Sequence, residues 1–275
     1  MGLFGKKNKD EEIRATEFTN VGAFSGFVLL NEPEWDKKQF LADFKADWGI
    51  ELEDEGSAEN PDDDIAVFAH IGELTLMVGF TPVPVPYGEA EIWAQANYRW
   101  AEAVDVAKAH KATLLVGVKG DNEHLLDKAK LYVKAVATAL NQKHATGYYD
   151  PRIVYEPEWY RRFALAAHEY DAFPSMNLIW YGMYTDRKQV GIYTLGMRRF
   201  GKEEMEVLIP SKEMQSVRPG DIIEFLSDIV DYVIMEDVTF RDGETVGPTA
   251  EEKHPITFGK GVGIDGNSLK IGYII

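Results

Sequence analysis

The tetrapeptide Glu-Pro-Glu-Trp occurs twice in this chain, at 32–35 and at 156–159. The copies lie 156 − 32 = 124 residues apart in a chain of 275 residues, which is close to half its length. Each copy follows a short apolar run and precedes a basic pair and a segment with helical spacing. The pattern indicates a diverged internal duplication. It predicts a disordered tail over 1–20, a first α+β module over 21–148 and a second α+β module over 149–275 with a β-rich C-terminal tail.

Hydrophobic periodicity predicts the order β-α-β-β-α-β-α for the first half. The predicted elements are a strand at 28–30 with a helix after it, hairpin strands at 65–70 and 74–80, one long helix through 93–107, a strand at 113–118 and a helix through 126–140. The first six elements have the order of a ferredoxin-like unit, and the second half opens in the same way. We therefore expect an α+β fold of two diverged ferredoxin-like (βαββαβ) modules, with antiparallel sheets and helices on one face.

Both tetrapeptides are predicted to begin a helix. Proline suits the first helical turn, where its missing N–H is not needed. Trp35 and Trp159 would then each stand at the third helical position and pack over the preceding strand.

Composition and charge narrow the functional classes. Hydrophobic residues make up 45% of the chain, and the absence of cysteine excludes a disulfide scaffold, a cysteine nucleophile and a thiolate zinc site. The net charge of −17 disfavours nucleic acid, whose phosphates an acidic surface repels, and favours a basic protein partner. No stretch reaches the roughly 18 apolar residues that crossing a bilayer requires. We expect a cytoplasmic protein without stable membrane association.

The acidic residues are concentrated in one segment that also contains Gly56, Asn60 and Pro61. This composition predicts a solvated loop and makes it a candidate surface for a basic partner. The order of the residues does not fit a calcium loop. The candidate binding residues here are Glu51, Glu53, Asp54, Glu55, Asp62, Asp63 and Asp64.

Candidate catalytic residues are few. The six histidines show no pair at metal-binding spacing, so we expect no metal site and no cofactor. His70, in an apolar strand, and His168, in the helix after the second tetrapeptide, are the two to test. Glu204 and Glu206 could form a paired acid and base, but their alternation with apolar residues is also typical of a half-exposed strand.

Aromatic residues give a further candidate site. Packing in the core is the favoured interpretation of the tryptophans. The alternative for Trp35 and Trp159 is an aromatic-lined cleft between the modules. Further aromatic residues would contribute to it, namely Trp93, Trp100, Trp180, Tyr181 and Tyr184.

Three sequence segments resemble an uncharacterised bacterial family defined by a domain of unknown function (DUF4261-like). They are the Pro-rich run 80–86, the segment Gly196-Met197 with Phe200 to Glu204, and the run Asp242 to Gly247. The resemblance extends from about residue 26 onward and implies no established activity, cofactor or catalytic residue. Some proteins of this kind are similar in character to antibacterial-toxin immunity proteins.

Three hypotheses on function follow. The first is a non-enzymatic binding protein that docks a basic partner through its acidic surface, as a toxin-neutralising immunity protein would. The second is an enzyme with a carboxylate or histidine site between the modules, at His70, His168, Glu204 or Glu206. The third is a structural subunit that self-associates through its sheets; the sequence leaves its oligomeric state open.

Overall fold

The computed structural model describes residues 18, 20–55, 65–213, 216–247, 249 and 252–273. These residues form two compact units that divide between Gly182 and Met183. The N-terminal unit comprises 23–182, and the C-terminal unit comprises the described residues from 183 onward together with 18 and 20–22. The tail predicted over 1–20 lies, except for residues 18 and 20, outside the described part of the chain.

The N-terminal unit contains six strands and six helices among its described residues, and a single 3₁₀ turn, Pro86–Gly88, precedes α2. In chain order they are β1 (Phe24–Leu30), α1 (Lys37–Trp48), β2 (Ala66–Ile71), β3 (Leu74–Thr81), α2 (Glu89–Ala94), α3 (Ala103–Ala109), β4 (Ala112–Lys119), α4 (Leu125–Ala139), β5 (Ala145–Asp150), β6 (Ile153–Tyr155), α5 (Pro157–Glu169) and α6 (Ser175–Leu178).

The six strands form one sheet in the order β2-β3-β4-β1-β5-β6, with every neighbouring pair antiparallel. Successive strand residues point to opposite faces. On one face Phe24 packs on Tyr132 of α4. On the other face Leu29 lies in a buried cluster with alanines of α2 and α3.

The α+β prediction is confirmed, but this sheet does not have the ferredoxin-like order. In that arrangement a helix joins strands that run parallel. Three antiparallel steps, from β1 to β4, to β3 and to β2, make β1 and β2 run in opposite directions, so α1 does not join parallel strands. Helices also cover both faces of the sheet, where one face was expected.

The division of the chain also differs from the predicted boundary at 148. Strand β6 and helix α5, which were expected to open a second module, lie in the N-terminal unit, because β6 pairs with β5 and α5 packs on α4. Strand β5 itself was not predicted. Its residues Tyr148 and Tyr149 are both buried, on opposite faces, and pair with β1.

The two tetrapeptides have different local structures. Helix α5 begins at Pro157, and the Glu156 carboxylate caps it by accepting a hydrogen bond from the Trp159 N–H at 2.8 Å. Helix α1 begins only at Lys37, with Asp36 as the capping residue. Trp159 is therefore at the predicted third helical position, while Trp35 precedes its helix. The prediction for Trp35 was wrong because Asp36 is the better capping side chain.

The C-terminal unit contains β7 (Trp180–Thr185), within which the division falls, β8 (Gln189–Leu195), β9 (Met205–Pro210), α7 (Pro219–Met235), β10 (Thr245–Val246), β11 (His254–Lys260) and β12 (Asn267–Ile271). The sheet order is β10-β11-β12-β9-β8-β7, and β9 and β12 run parallel. Helix α7 packs on β8 and buries an apolar stripe that includes Ile222, Leu226 and Val230.

Candidate binding site

An aromatic pocket lies in the N-terminal unit, with a volume of about 280 Å³. Its walls come from the loop 95–102 between α2 and α3, the end of β6, the first turn of α5 and the first residue of β7. The lining residues are Asn97, Arg99, Trp100, Glu102, Tyr155, Glu156, Trp159 and Trp180. We call this set of residues the aromatic pocket.

Asn97 holds the loop that carries Arg99 and Trp100. Its side-chain oxygen accepts hydrogen bonds from the backbone N–H groups of Arg99 at 2.8 Å and Trp100 at 3.1 Å. Its side-chain nitrogen donates to the Val154 carbonyl at 2.8 Å, which ties the loop to β6. An asparagine that bonds to the backbone two and three residues ahead competes with helical hydrogen bonding. This is why the long helix predicted through 93–107 is instead two short helices.

The rings of the pocket support one another. Tyr155 stacks on Trp159 with centroids 5.6 Å apart, and Trp180 meets Tyr155 edge-on at 5.9 Å. Trp180 is 3% exposed, and its indole nitrogen has no hydrogen-bond partner among the described residues. Trp100 packs against the buried cluster that contains Leu29. The walls are therefore fixed by core packing.

The pocket contains a cation from its own chain. The Arg99 guanidinium carbon is 5.2 Å from the Trp180 ring centroid, 5.8 Å from that of Trp159 and 5.3 Å from that of Tyr98. All three distances are within the roughly 6 Å at which cation–π attraction is significant. The Arg99 Nε–H donates to the Tyr98 hydroxyl at 3.2 Å, and that hydroxyl donates to the Tyr181 carbonyl at 2.9 Å. The arrangement shows that the rings accommodate a guanidinium.

Two carboxylates also line the aromatic pocket. Glu156 uses its side chain to cap α5. Glu102 is exposed and forms no ion pair within the described residues. A cation in this pocket would therefore be near two acidic groups as well as the faces of the rings.

The structure brings together two of the three predicted tryptophans. Trp100 and Trp180 both line the aromatic pocket, whereas Trp93, on α2, is 39% exposed and is not part of its lining. Trp159 was considered for an aromatic cleft as the alternative to core packing, whereas Tyr155 was not predicted as a member. Arg99 was missed although Tyr98 beside it is one of the rings that it contacts, because only the fold brings it to the rings of Trp159 and Trp180.

The candidate histidines are separated on the surface. His70 is exposed on β2, where it lies 3.5 Å from Glu55 and 3.1 Å from the Thr75 hydroxyl. His168, near the end of α5, meets the Trp48 ring edge-on at 5.2 Å. Two other histidines, His110 and His254, are buried. The His254 Nδ1 lies 3.2 Å from the Gly272 carbonyl oxygen. His110 lies between α3 and β4. It accepts a hydrogen bond from the Val85 N–H at 2.8 Å, so its other ring nitrogen donates to the Ala107 carbonyl.

Glu204 and Glu206 are fully buried, which corrects the expectation of a half-exposed strand. Glu204 accepts hydrogen bonds from the Thr194 hydroxyl at 2.8 Å and from the N–H groups of Gly196 and Met197 at 2.9 and 3.3 Å. A buried carboxylate needs such donors, because an unpaired one is very costly. The alternation of glutamate with apolar residues predicted one solvent-exposed face for β9. That prediction was wrong because both faces of β9 are covered.

Glu206 has a comparable role at a second turn. It accepts hydrogen bonds from the Ser268 hydroxyl and from the Gly263 N–H, both at 2.6 Å, and from the Val262 N–H at 3.1 Å. Burial and the nearby Glu206 carboxylate raise the pKa of Tyr184 to about 12. The two carboxylates anchor separate turns and do not form a shared acid and base pair.

The acidic segment is only partly described. Asp54 is not solvated as expected. It forms a 2.5 Å ion pair with Lys37, both side chains being nearly buried, and accepts the Phe68 N–H at 3.0 Å. Glu51 pairs with Lys45 at 2.9 Å on the surface, and Glu53 is exposed. Asp62, Asp63 and Asp64 lie outside the described residues.

Two general features of the described residues bear on function. None of their helices combines the length and the apolar character that crossing a bilayer requires. Within the same residues, no three histidine, aspartate or glutamate side chains are grouped in a way that could hold a metal ion.

Comparison with known proteins identifies one segment. Residues 193–272 match the model of a family described as a domain of unknown function (DUF4261). The match begins in β8 and ends just after β12, so it includes Glu204 and Glu206 but not the aromatic pocket. No curated protein and no solved structure matches the chain.

Proposed function

We propose that this protein is a non-enzymatic binding protein that docks a basic protein partner and takes one of the partner's cationic side chains into the aromatic pocket. The observation that carries the proposal is the position of the Arg99 guanidinium, within 5.8 Å of three ring centroids. A pocket that holds the chain's own guanidinium has the right chemistry for another one.

Charge supports the same conclusion. The net charge of −17 favours encounter with basic proteins. Glu102 and Glu156 add local attraction at the pocket itself. A cation over an aromatic face contributes about 0.5–1 kcal/mol at an exposed site and about 2 kcal/mol or more when water is excluded. Buried tryptophan and arginine are also the side chains that most often dominate interface energies.

An arginine side chain is the preferred ligand. Its guanidinium is planar and weakly hydrated and stacks on aromatic rings better than the compact ammonium of lysine does. Neutralisation of a basic toxin, in the manner of an immunity protein, is one biological role that such docking would serve.

The test is a nuclear magnetic resonance titration that follows the six tryptophan indole N–H signals. The probe is the peptide acetyl-Gly-Gly-Arg-Gly-Gly-amide, and the matched control peptide has citrulline, a neutral analogue of arginine, at the centre. We expect the signals of Trp100, Trp159 and Trp180 to shift with the arginine peptide only. The Trp48 indole, which donates to the Thr138 hydroxyl at 2.8 Å away from the aromatic pocket, should stay in place.

Variants sharpen this test. Trp159→Ala removes one wall of the aromatic pocket and should abolish the shifts of the other two indoles, whereas Trp93→Ala should not affect them. Equal shifts with the citrulline peptide, or no shift at all, would show that the pocket does not recognise a cation.

A further inference from the structure

Arg99 occupies the faces of the aromatic pocket that an incoming cation would need. It lies over the rings of Trp159 and Trp180 as well as that of Tyr98. Two cations cannot share those faces, because like charges repel and the rings offer one position between them. We infer that Arg99 is an internal competitor that must leave the pocket before the partner's side chain can enter. This inference rests on the proposed function.

The contacts of Arg99 are suited to a reversible occupant. Its side chain is exposed, and its one side-chain hydrogen bond among the described residues is the donation from Nε to the Tyr98 hydroxyl. It forms no ion pair within the described residues. By contrast, Trp180 is held in the core, and Tyr155 is buried too. The guanidinium is therefore the part of the pocket that moves at least cost.

Only the side chain of Arg99 has to move. Its backbone N–H is bonded to the Asn97 side chain, which is in turn tied to β6 through Val154. The loop 95–102 therefore keeps its place while the guanidinium turns outward into water. Opening of the pocket is a change of rotamer, which takes picoseconds to nanoseconds for an exposed side chain.

Self-occupancy lowers the apparent affinity for any cationic ligand. When the open state is a fraction of the population, the apparent dissociation constant is the intrinsic one divided by that fraction. The occupant thereby excludes weak ligands, including isolated small cations. A partner that also makes contacts outside the pocket can displace it. Occupancy of the pocket by Arg99 therefore favours binding of a specific basic protein over binding of small cations.

Removal of the competitor is the direct test. Arg99→Gln removes the positive charge and shortens the side chain, so that it no longer reaches over the rings. We expect the arginine pentapeptide to bind this variant about twofold to fivefold more tightly than the wild type, the size expected for the loss of a surface cation–π competitor. Arg162→Gln is the matched control, because Arg162 also lies over a ring, that of Phe163 at 5.3 Å, but outside the pocket. Its affinity for the peptide should not change.

A second readout follows the displacement itself. In the free protein the Arg99 Nε–H signal should be shifted by the ring currents of the tryptophans, and addition of the arginine peptide should return it to an ordinary position. Binding of the peptide with no change in that signal would overturn the inference and leave the proposed function standing.

The remaining outcomes are also decisive. Weaker binding of the arginine peptide to Arg99→Gln would show that Arg99 is part of the receptor. If acetate shifts the indole signals of the wild type but not those of Arg99→Gln, the pocket is an anion site. Either this result or the weaker binding would overturn the inference. If neither protein binds the arginine peptide, the proposed function and the inference fail together.

Discussion

At the scale of single residues, Gly26 shows how closely the N-terminal unit is packed. The hydroxyls of Tyr132 and Tyr148 hydrogen-bond to each other directly over it. A Cβ atom at this position would lie 2.5 Å from the Tyr148 hydroxyl and 2.7 Å from the Tyr132 hydroxyl. The glycine is required because the space above the strand is already filled.

We predict that Gly26→Ala lowers the free energy of unfolding by about 1–3 kcal/mol, since overpacking a filled core forces side chains from their preferred positions. Gly79→Ala is the control, because a Cβ at that position, in β3 of the same sheet, meets no atom within 4 Å. Urea unfolding of both variants measures the difference. Equal stability of the two variants would show that the Tyr132 and Tyr148 side chains move aside at little cost.

A second residue-scale prediction concerns Tyr149. Burial, followed by the nearby Glu89 carboxylate, raises the pKa of Tyr149 to about 12, above its usual 10.0. The folded protein therefore keeps a proton between about pH 10 and pH 12 that the unfolded chain loses. The stability that this contributes is fully present below pH 10 and is lost as the pH rises through the folded pKa, by up to about 2–3 kcal/mol.

Tyr149→Phe tests this, because phenylalanine has no proton to lose. The free energy of unfolding of the wild type should fall more steeply than that of the variant between about pH 9 and pH 11.5. Parallel curves would show that Tyr149 titrates normally.

At the scale of elements, the loop 95–102 decides whether the aromatic pocket exists. Periodicity alone continues a helix through this segment, yet the Asn97 side chain ends α2 and turns the chain before α3 begins. The consequence is that Arg99 and Trp100 face the second tetrapeptide instead of extending along a helix. The Asn97 side chain thus makes this segment a loop that lines the pocket instead of part of one long helix.

We expect Asn97→Ala to lower the free energy of unfolding by about 0.5–1.5 kcal/mol, because it removes the acceptor of two backbone N–H groups that water can partly replace. It should also weaken binding of the arginine pentapeptide. Asn97→Asp keeps the acceptor oxygen but loses the donation to the Val154 carbonyl. Its stability and its affinity for the peptide should therefore lie between those of the wild type and of the alanine variant. Calorimetric unfolding and the indole titration measure both effects. An alanine variant that binds normally would show that packing alone holds the loop.

At the scale of the whole molecule, the net charge of −17 acts over a longer range than the aromatic pocket does. Salt separates the two contributions. The Debye length is about 30 Å at 0.01 M and about 8 Å at 0.15 M ionic strength, so the higher salt concentration screens the long-range attraction while contacts at ring distance stay within one Debye length.

We predict that the arginine peptide binds the wild type about threefold to tenfold more weakly at the higher salt concentration. Asp186→Asn and Glu236→Gln remove exposed charges that do not line the aromatic pocket. They should lower only the salt-dependent part of the affinity for the peptide. Titrations at both salt concentrations measure these effects. Arg99→Gln should keep most of its advantage in affinity over the wild type at both salt concentrations, since the ring contacts at 5.2 and 5.8 Å are shorter than the Debye length at either one. Loss of that advantage at high salt would mean that long-range charge, and not the pocket, explains the variant.

The amino-acid sequence by itself determined the local elements. Apolar spacing located β1, α1, the β2–β3 hairpin, β4, α4, α5 and α7, and proline placed the start of α5. These features depend on side chains within a few residues of one another, for which periodicity and capping are sufficient. Trp100 and Trp180 were also identified as candidate binding residues on sequence grounds.

Only the tertiary structure decided the order of the strands, the burial of Glu204 and Glu206 and the assembly of the aromatic pocket. Each depends on contacts between distant parts of the chain. Tyr98 bonds to Tyr181 across 83 residues, and Glu206 bonds to Gly263 across 57. No local pattern encodes such partners, because a carboxylate or a ring has the same local preference whether it faces water or a buried donor. The choice is made when the sheets and helices pack and each polar group must find a partner.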